Sequence, residues 1–138
     1  MEILSLLLLL DLTSFSQALD FWTSHVDNPK TRISGSSHHY CNVMMKQRGL
    51  ITRSHCMPVN TFIHETNSTL INICATPSVS CGRLSLERCN KSSQSLKVTY
   101  CYTKSFARPP DCGYRAKIDF AIIGVICVEG QPAYLLQP

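Results

Sequence analysis

Histidine is the side chain best suited to acid–base chemistry, because its ordinary pKa lies close to neutral pH. The sequence holds five of them: His25, His38, His39, His55 and His64. His25 follows Phe21 by four residues, so in a short helix the two side chains lie on one face. The chain has no histidine after His64, and its second half therefore offers no imidazole for proton transfer.

Cysteine is the second residue type that could carry chemistry here. Eight cysteines stand at positions 41, 56, 74, 81, 89, 101, 112 and 127. An even number in a small secreted chain predicts four disulfides. A metal site is the competing interpretation, but there is no C-x-x-C pair and no histidine at ligand spacing from a cysteine pair. We therefore predict no metal and no cofactor, and spacing alone leaves the pairing open.

The beginning of the chain indicates secretion. The apolar run Ile3 to Leu10 is shorter than the roughly 20 residues that a membrane-spanning helix needs. Ser16-Gln17-Ala18 fits a small-x-small cleavage site, although Glu2 replaces the usual basic residue. A buried N-terminal helix is the alternative. We predict a signal peptide over residues 1–18, a single domain over 19–138, an extracellular location and no transmembrane anchor.

The predicted mature chain is basic. It keeps 13 basic and 7 acidic side chains, because Glu2 and Asp11 leave with the signal peptide, and its net charge is therefore +6. This charge favours polyanionic partners such as RNA, although a merely solvated positive surface has the same composition. Two glycosylation sequons occur, at Asn67 and Asn90.

Short helices are predicted early in the chain and strands late. The helical segments are Leu19–Val26, the stretch "YCNVMMKQRGL" with Gly49 as its C-terminal cap, and "NSTLINIC" with Asn67 or Ser68 as its N-terminal cap. The stretch "VNTFIH" alternates as a strand does, and "SLKVTYCYTK" and "GVICVEG" are rich in strand formers. This segregation predicts an α+β fold.

Several local motifs resemble those of the pancreatic-type ribonuclease (ribonuclease A) superfamily. "CMPVNTFIHE" is similar to the C-K-x-x-N-T-F-x-H-E motif of that family. "YCNVMMKQRGL" resembles its second helix and "CGYRA" its C-x-Y-R-A strand, and the eight-cysteine ladder matches over the whole mature chain. The resemblance implies a V-shaped antiparallel sheet with three short helices. It also implies four disulfides: Cys41–Cys101, Cys56–Cys112, Cys74–Cys127 and Cys81–Cys89.

The family's reaction, cleavage of RNA through a cyclic 2′,3′-phosphate, requires a base, an acid and a fixed cation. The resemblance assigns the base to His25. Met57 stands where the family has its lysine, and a thioether has neither charge nor a hydrogen-bond donor. Gln137 is the nearest match to the family's C-terminal histidine, and an amide donates no proton at neutral pH. The cations that could compensate are Lys46, Arg53, Arg115 and Lys117, although nothing in the sequence places them at the site.

Each missing group is worth about 10²–10⁴ in rate. We therefore predict little or no ribonuclease activity, with His25 as a remnant of the site. The resemblance places Asn60 and Thr61 among the substrate-binding residues. Other positions depart from the family: Tyr100 replaces an aspartate of the base pocket, and Pro138 replaces an aromatic residue. The stretch "GRLSLER" between Cys81 and Cys89 replaces an amide-rich loop.

The leading hypothesis is a secreted, monomeric protein that acts by binding, to RNA or another polyanion or to a receptor that the sequence does not name. Relatives with impaired catalysis suggest a role in the male reproductive tract, and others suggest host defence. The alternatives are a weakly active, pyrimidine-preferring ribonuclease and a cationic antimicrobial protein.

Overall fold

A computed structural model describes residues 20–81 and 87–138. Within these ranges it has three helices, α1 (Phe21–His25), α2 (Ser37–Gln47) and α3 (Asn67–Ile73). The strands are β1 (Val59–Ile63), β2 (Val79–Ser80), β3 (Arg88–Lys91), β4 (Leu96–Thr103), β5 (Tyr114–Ala121), β6 (Gly124–Val128) and β7 (Gln131–Leu135). The predicted signal peptide, residue 19 and the first five residues of the "GRLSLER" loop, 82–86, lie outside the described residues. The α+β class with three short helices is confirmed.

Each helix begins at a residue whose side chain accepts a hydrogen bond from the first turn. Asp20 caps α1 and Ser36 caps α2. The cap of α3 is Thr66, so the predicted caps Asn67 and Ser68 were wrong by one or two residues. Thr66 is the N-cap because its backbone is extended and its hydroxyl accepts a hydrogen bond from the Thr69 N–H. Gly49 has φ +75° just beyond α2, as the prediction of a C-terminal glycine requires.

The strands form two antiparallel sheets. One has the order β1-β4-β5, and the other has the order β2-β3-β6-β7. Residues that stand opposite one another in a ladder share a face of the sheet, and successive residues alternate between faces. In the first sheet, the register groups Phe62, Thr99 and Ile118 on one face and Thr61, Tyr100 and Lys117 on the other.

Two clusters of buried apolar side chains hold the sheets and helices together. The first core cluster comprises Phe21, Ile63, Leu70, Ile73, Leu96, Val98, Ile123 and Val125. The second core cluster comprises Tyr40, Cys41, Met44, Met45, Leu50, Phe62, Cys101 and Tyr114. Burial of one large apolar side chain stabilises the fold by about 1.5–3 kcal/mol. The two clusters thus fix α1 and α2 against β1, where the candidate site lies.

All eight cysteines are paired in four disulfides, so none is available as a metal-binding thiolate. Three of the bonds join residues 53 to 60 positions apart in the sequence. Bonds that close such long loops restrict the unfolded chain strongly, by about 4 kcal/mol each in the chain-entropy account. The pairs are those that the family resemblance implies: Cys41–Cys101, Cys56–Cys112, Cys74–Cys127 and Cys81–Cys89.

A buried carboxylate ties the segment after α1 to α2. Asp27 accepts hydrogen bonds from the backbone and hydroxyl of Thr31, at 2.9 and 2.6 Å, and from the Tyr40 hydroxyl. The Arg48 guanidinium lies 3.5 Å from the same carboxylate. Burial raises the pKa of Asp27, but the hydrogen bonds from Thr31 and Tyr40 outweigh burial, and the pKa lies below its ordinary value. Asp27 is therefore a buried anion with its charge compensated.

Candidate functional site

Helix α1 holds His25 against strand β1. Phe21 anchors the helix in the first core cluster, and its ring centroid lies 5.4 Å from that of His25. The Nδ1 atom of His25 is 3.0 Å from the backbone carbonyl of Thr61. Because a carbonyl can only accept, Nδ1 carries the proton in this contact. The other ring nitrogen, Nε2, then has a free lone pair and can take a proton from a substrate.

The surroundings of His25 keep its imidazole neutral. Burial lowers the pKa of His25, and the hydrogen bond to the Thr61 carbonyl offsets only part of that effect. A neutral imidazole with Nδ1 protonated is the form that a general base requires. The position of His25 and its neutral imidazole are those that the predicted general base would need.

This arrangement predicts the titration of His25. Followed by NMR through its ring C–H signals, His25 should titrate below the midpoint of the same residue in the peptide FWTSHVD, because burial disfavours the imidazolium. A midpoint equal to or above that of the peptide would show that the ring is not held as described.

The C-terminal segment brings Gln137 to the side chain of Thr61. The Thr61 hydroxyl donates to Gln137 Oε1 at 3.1 Å, and Gln137 Nε2 donates to the Val59 carbonyl at 3.5 Å. Gly124 lets this segment approach, since an added Cβ would lie 3.0 Å from a methyl group of Leu136. His25 and Gln137 therefore meet the same residue, one at its carbonyl and one at its hydroxyl.

Gln137 lies in a groove with a volume of about 270 Å³. Pro138, Lys91 and Tyr100 line this groove together with Thr61. Tyr100 stands opposite Thr61 on β4, so its ring takes the place beside Thr61 where the family has an aspartate. An amide does not titrate at neutral pH. The groove therefore contains a hydrogen-bonding group at position 137 but no acid there.

Met57 lies between β1 and α2 and contributes no charge. Its N–H donates to the Leu50 carbonyl at 3.3 Å, and its carbonyl accepts from the Tyr114 hydroxyl at 2.8 Å. Its side chain is half-buried and packs against the second core cluster. The methionine is thus part of the apolar packing, where the family motif has a lysine.

Asn60, the other residue assigned to substrate binding, is fully buried. Its amide Nδ2 donates to the Ser24 carbonyl at 2.8 Å and so joins β1 to α1. Within the described residues, its Oδ1 has no hydrogen-bond partner. A buried acceptor left without a donor costs about 1–3 kcal/mol. Asn60 thus holds the helix that carries His25 against β1, and its Oδ1 is an unused acceptor close to the candidate site.

The cations that the sequence offered as replacements for lysine do not gather around Thr61. Lys46, Arg53 and Arg115 are exposed, with no contact to the groove among the described residues. Lys117 shares a face with Thr61 but is two strands away, about 10 Å at ordinary strand spacing, and lies 3.7 Å from Asp119.

Lys91 is a groove residue that sequence reasoning missed. The side chain is exposed on β3 and lines the groove with Thr61 and Gln137. In the sequence it stands inside the sequon Asn90-Lys91-Ser92 and carries no other signal. Its place depends on the pairing of β3 with β6, which a single sequence does not reveal.

Comparison with known proteins gives one consistent result. A family model described as pancreatic ribonuclease matches residues 16–138. The pancreatic ribonuclease of Glis glis is 39% identical over 118 residues, which cover 86% of this chain and 74% of that protein. The pancreatic ribonuclease of Mesocricetus auratus is 38% identical over 117 residues, which cover 85% of this chain and 90% of that protein.

Among solved structures, the egg white ribonuclease of the green turtle superposes with a TM-score of 0.73 at 27% identity. The match covers 85% of this chain and 93% of that structure.

Proposed function

The chain belongs to the pancreatic ribonuclease family, and from that premise we propose that it is a secreted protein that binds RNA weakly and cleaves it little or not at all. The observation that carries this proposal is the chemistry of the two positions beside the base. Met57 packs as an apolar side chain, and Gln137 presents an amide. The base is kept, while the fixed cation and the proton donor are replaced.

Several features support binding without efficient cleavage. Thr61 and Lys91 line the same groove, and the predicted mature chain carries a charge of +6 from its 13 basic and 7 acidic side chains. A positive surface attracts phosphates, and such attraction weakens with salt. The Thr61 hydroxyl already donates to Gln137, so a base that needs this hydroxyl has to displace the amide.

Binding is tested with a fluorescent oligodeoxyuridine, which lacks the 2′-hydroxyl and is not cleaved. Fluorescence anisotropy should show binding at low ionic strength that weakens steeply as salt rises. The matched ribo-oligonucleotide should remain intact at the same protein concentration. Failure to bind at low salt would contradict the binding function, and cleavage that disappears in His25→Ala would contradict the loss of catalysis.

A weak, pyrimidine-preferring ribonuclease is the second candidate. The contact between His25 Nδ1 and the Thr61 carbonyl favours it, because the base alone can still activate a 2′-hydroxyl. The two candidates differ in the His25→Ala variant. Slow cleavage that falls about 10²-fold or more in this variant would support the weak enzyme.

Secretion follows in our proposal from the four disulfides, because such bonds persist in oxidising compartments. Within residues 20–81 and 87–138, no helix combines the length and apolar character that crossing a bilayer requires. We propose that the secreted chain is monomeric.

The two sequons should differ in glycan occupancy. Asn67 is exposed at the first residue of α3. Asn90 is half-buried in β3, and its Nδ2 donates to the Thr76 carbonyl at 2.7 Å. We expect Asn67→Gln to abolish the mobility shift that peptide-N-glycosidase causes in secreted protein, and Asn90→Gln to leave it. A shift that depends on Asn90 would contradict this assignment.

A further inference from the structure

Strand β5 ends in exposed apolar side chains. Ile118 is 49% exposed and Phe120 66%, and Ile122, just after the strand, is 50% exposed. Strand β5 is at the edge of its sheet, with β4 as its neighbour on one side. Edge strands with apolar side chains readily pair with another chain, and proteins usually protect them with charges or covering segments. The end of β5 is therefore an edge strand whose apolar side chains are left exposed.

Ile118 and Phe120 belong to the face of the sheet away from the candidate site, whereas Ile122 lines the groove that contains Gln137. Ile118 stands in register with Thr99 and Phe62, whereas Thr61 belongs to the opposite face. Phe120 is two residues from Ile118 on the same strand and so shares its face. A partner bound here would leave the groove at Thr61 and Gln137 accessible.

The backbone of β5 is covered along its first half and open beyond it. Side chains of α2 meet the first half, where the Tyr114 N–H donates to Asn42 Oδ1 and the Ala116 N–H donates to His38 Nδ1, both at 2.8 Å. Farther on, the Phe120 N–H donates to the carboxylate of its neighbour Asp119 at 2.8 Å. An incoming strand can take over that local bond. The outer edge from Ile118 onward is thus available for a new ladder.

Basic side chains lie beside this edge, on the face of Ile118 and Phe120. Ile118 lines a groove of about 610 Å³ together with Lys30, Arg32 and Tyr40. Lys30 Nζ lies 4.7 Å from the centre of the Tyr40 ring. Lys97 stands opposite Phe120 on β4 and shares its face. Burial lowers the pKa of Lys30 and the charge of Lys97 lowers it further, while the Asp27 carboxylate raises it.

We propose that the edge of β5 from Ile118 to Phe120 accepts an extended acidic segment of a partner protein as an added strand. On the face that it shares with Ile118 and Phe120, the partner strand carries apolar side chains that pack on these two residues and carboxylates that meet Lys30 and Arg32 beside Ile118. Strand addition supplies affinity through main-chain hydrogen bonds and specificity through alternate side chains. This proposal goes beyond the proposed RNA function and uses a different face of the protein.

The basic side chains and the open backbone groups together favour an acidic strand over a second copy of the chain or a lipid surface. A second copy of the chain would bring the same basic side chains to the interface, and like charges there are unfavourable. A lipid surface would accept Ile118 and Phe120 but would leave the open backbone groups without hydrogen-bond partners, which is unfavourable in a bilayer. An acidic strand satisfies both the charges and the backbone.

The probe is a fluorescein-labelled nonapeptide, Glu-Thr-Val-Thr-Val-Thr-Glu-Thr-Glu, whose valine and glutamate side chains all lie on one face of an extended strand. Its binding to the mature protein is measured by fluorescence anisotropy. We expect saturable binding that weakens tenfold or more in Phe120→Thr and in Arg32→Glu. The matched control is Tyr134→Thr, which removes an exposed aromatic side chain from edge strand β7 and should bind as the unmodified protein does. Thermal unfolding of every variant checks that it is folded.

Two control peptides separate strand addition from attraction by charge. The same sequence N-methylated at alternate amides keeps its carboxylates but cannot form the ladder, and the same sequence with lysine in place of each glutamate has the wrong charge. We expect neither to bind. Equal binding of the N-methylated peptide, or no binding of the original, would overturn the proposal.

Three further outcomes decide between the proposals. A dimer that sediments without peptide and dissociates in Phe120→Thr would overturn the proposal in favour of a second copy. Binding to phosphatidylserine vesicles that Phe120→Thr abolishes would overturn it in favour of a membrane. Binding of oligodeoxyuridine should be the same in Phe120→Thr as in the unmodified protein, so failure of the RNA function and failure of this proposal are distinguishable.

Discussion

A double variant with Met57→Lys and Gln137→His should cleave RNA at least about 10³-fold faster than the unmodified protein. His25 already has the contact and ionisation state of a general base. The variant adds the two groups that the chemistry lacks, a fixed cation and a proton donor. A gain of this size corresponds to about 4 kcal/mol of transition-state stabilisation.

The structure gives each introduced side chain a defined environment. Position 57 lies beside the second core cluster, with its backbone held by Leu50 and Tyr114. We expect the new ammonium group to find an acceptor in Asn60 Oδ1, three residues along the chain and without a partner among the described residues. Position 137 lies beside the Thr61 hydroxyl. An imidazole there enters the groove where the amide now lies.

Matched variants identify the source of the gain. Met57→Gln with Gln137→His has a polar but uncharged side chain at position 57 and should recover much less activity than the lysine variant. Adding His25→Ala to the active double variant should remove the gain, because the base is lost. A double variant that unfolds at the same temperature as the unmodified protein and still does not cleave would refute the assignment of these two positions.

Replacing Asp27 with alanine should lower the free energy of unfolding by about 3–5 kcal/mol. The change removes a buried anion that accepts from Thr31 and Tyr40 and lies 3.5 Å from Arg48. It leaves these donors without their acceptor, and a buried group without its partner costs far more than an exposed one. Urea unfolding measures the difference.

The matched control is Asp119→Ala, which removes the partner of an exposed pair with Lys117 and should cost at most about 1 kcal/mol. The pKa of Asp27 is lower in the folded protein than in the unfolded chain. Its stabilising effect is therefore present above the unfolded pKa, about 4, and is lost as pH falls through the folded pKa. The curves for the unmodified protein and Asp27→Ala should converge in acid. Equal stability of the two at neutral pH would contradict the account.

Local features of the fold could be predicted from the sequence because neighbouring residues decide them. Gly49 beyond α2 and the strand from Val59 to Ile63 depend on short stretches of chain. The start of α3 was missed because Thr66, Asn67 and Ser68 are all good caps, and only the backbone conformation selects Thr66. The disulfide pairs came from the family resemblance, since spacing leaves them open.

The candidate site was predictable in its residue types but not in its contacts. His25 meets Thr61 across 36 positions, and Gln137 meets it across 76. Such contacts depend on the pairing of distant strands, which no local pattern fixes. For the same reason, the sequence did not predict that Lys91 lies beside the groove or that Ile118 and Phe120 are exposed on an edge strand.

The rate of cleavage of a fluorogenic oligonucleotide with a single uridine tests the central claim most directly. The unmodified protein and the pancreatic ribonuclease of Mesocricetus auratus are measured in the same buffer. We predict that kcat/KM of this protein is lower by at least about 10³-fold, because the cation and the acid are both replaced. A value within tenfold of that relative, lost on His25→Ala, would contradict the account.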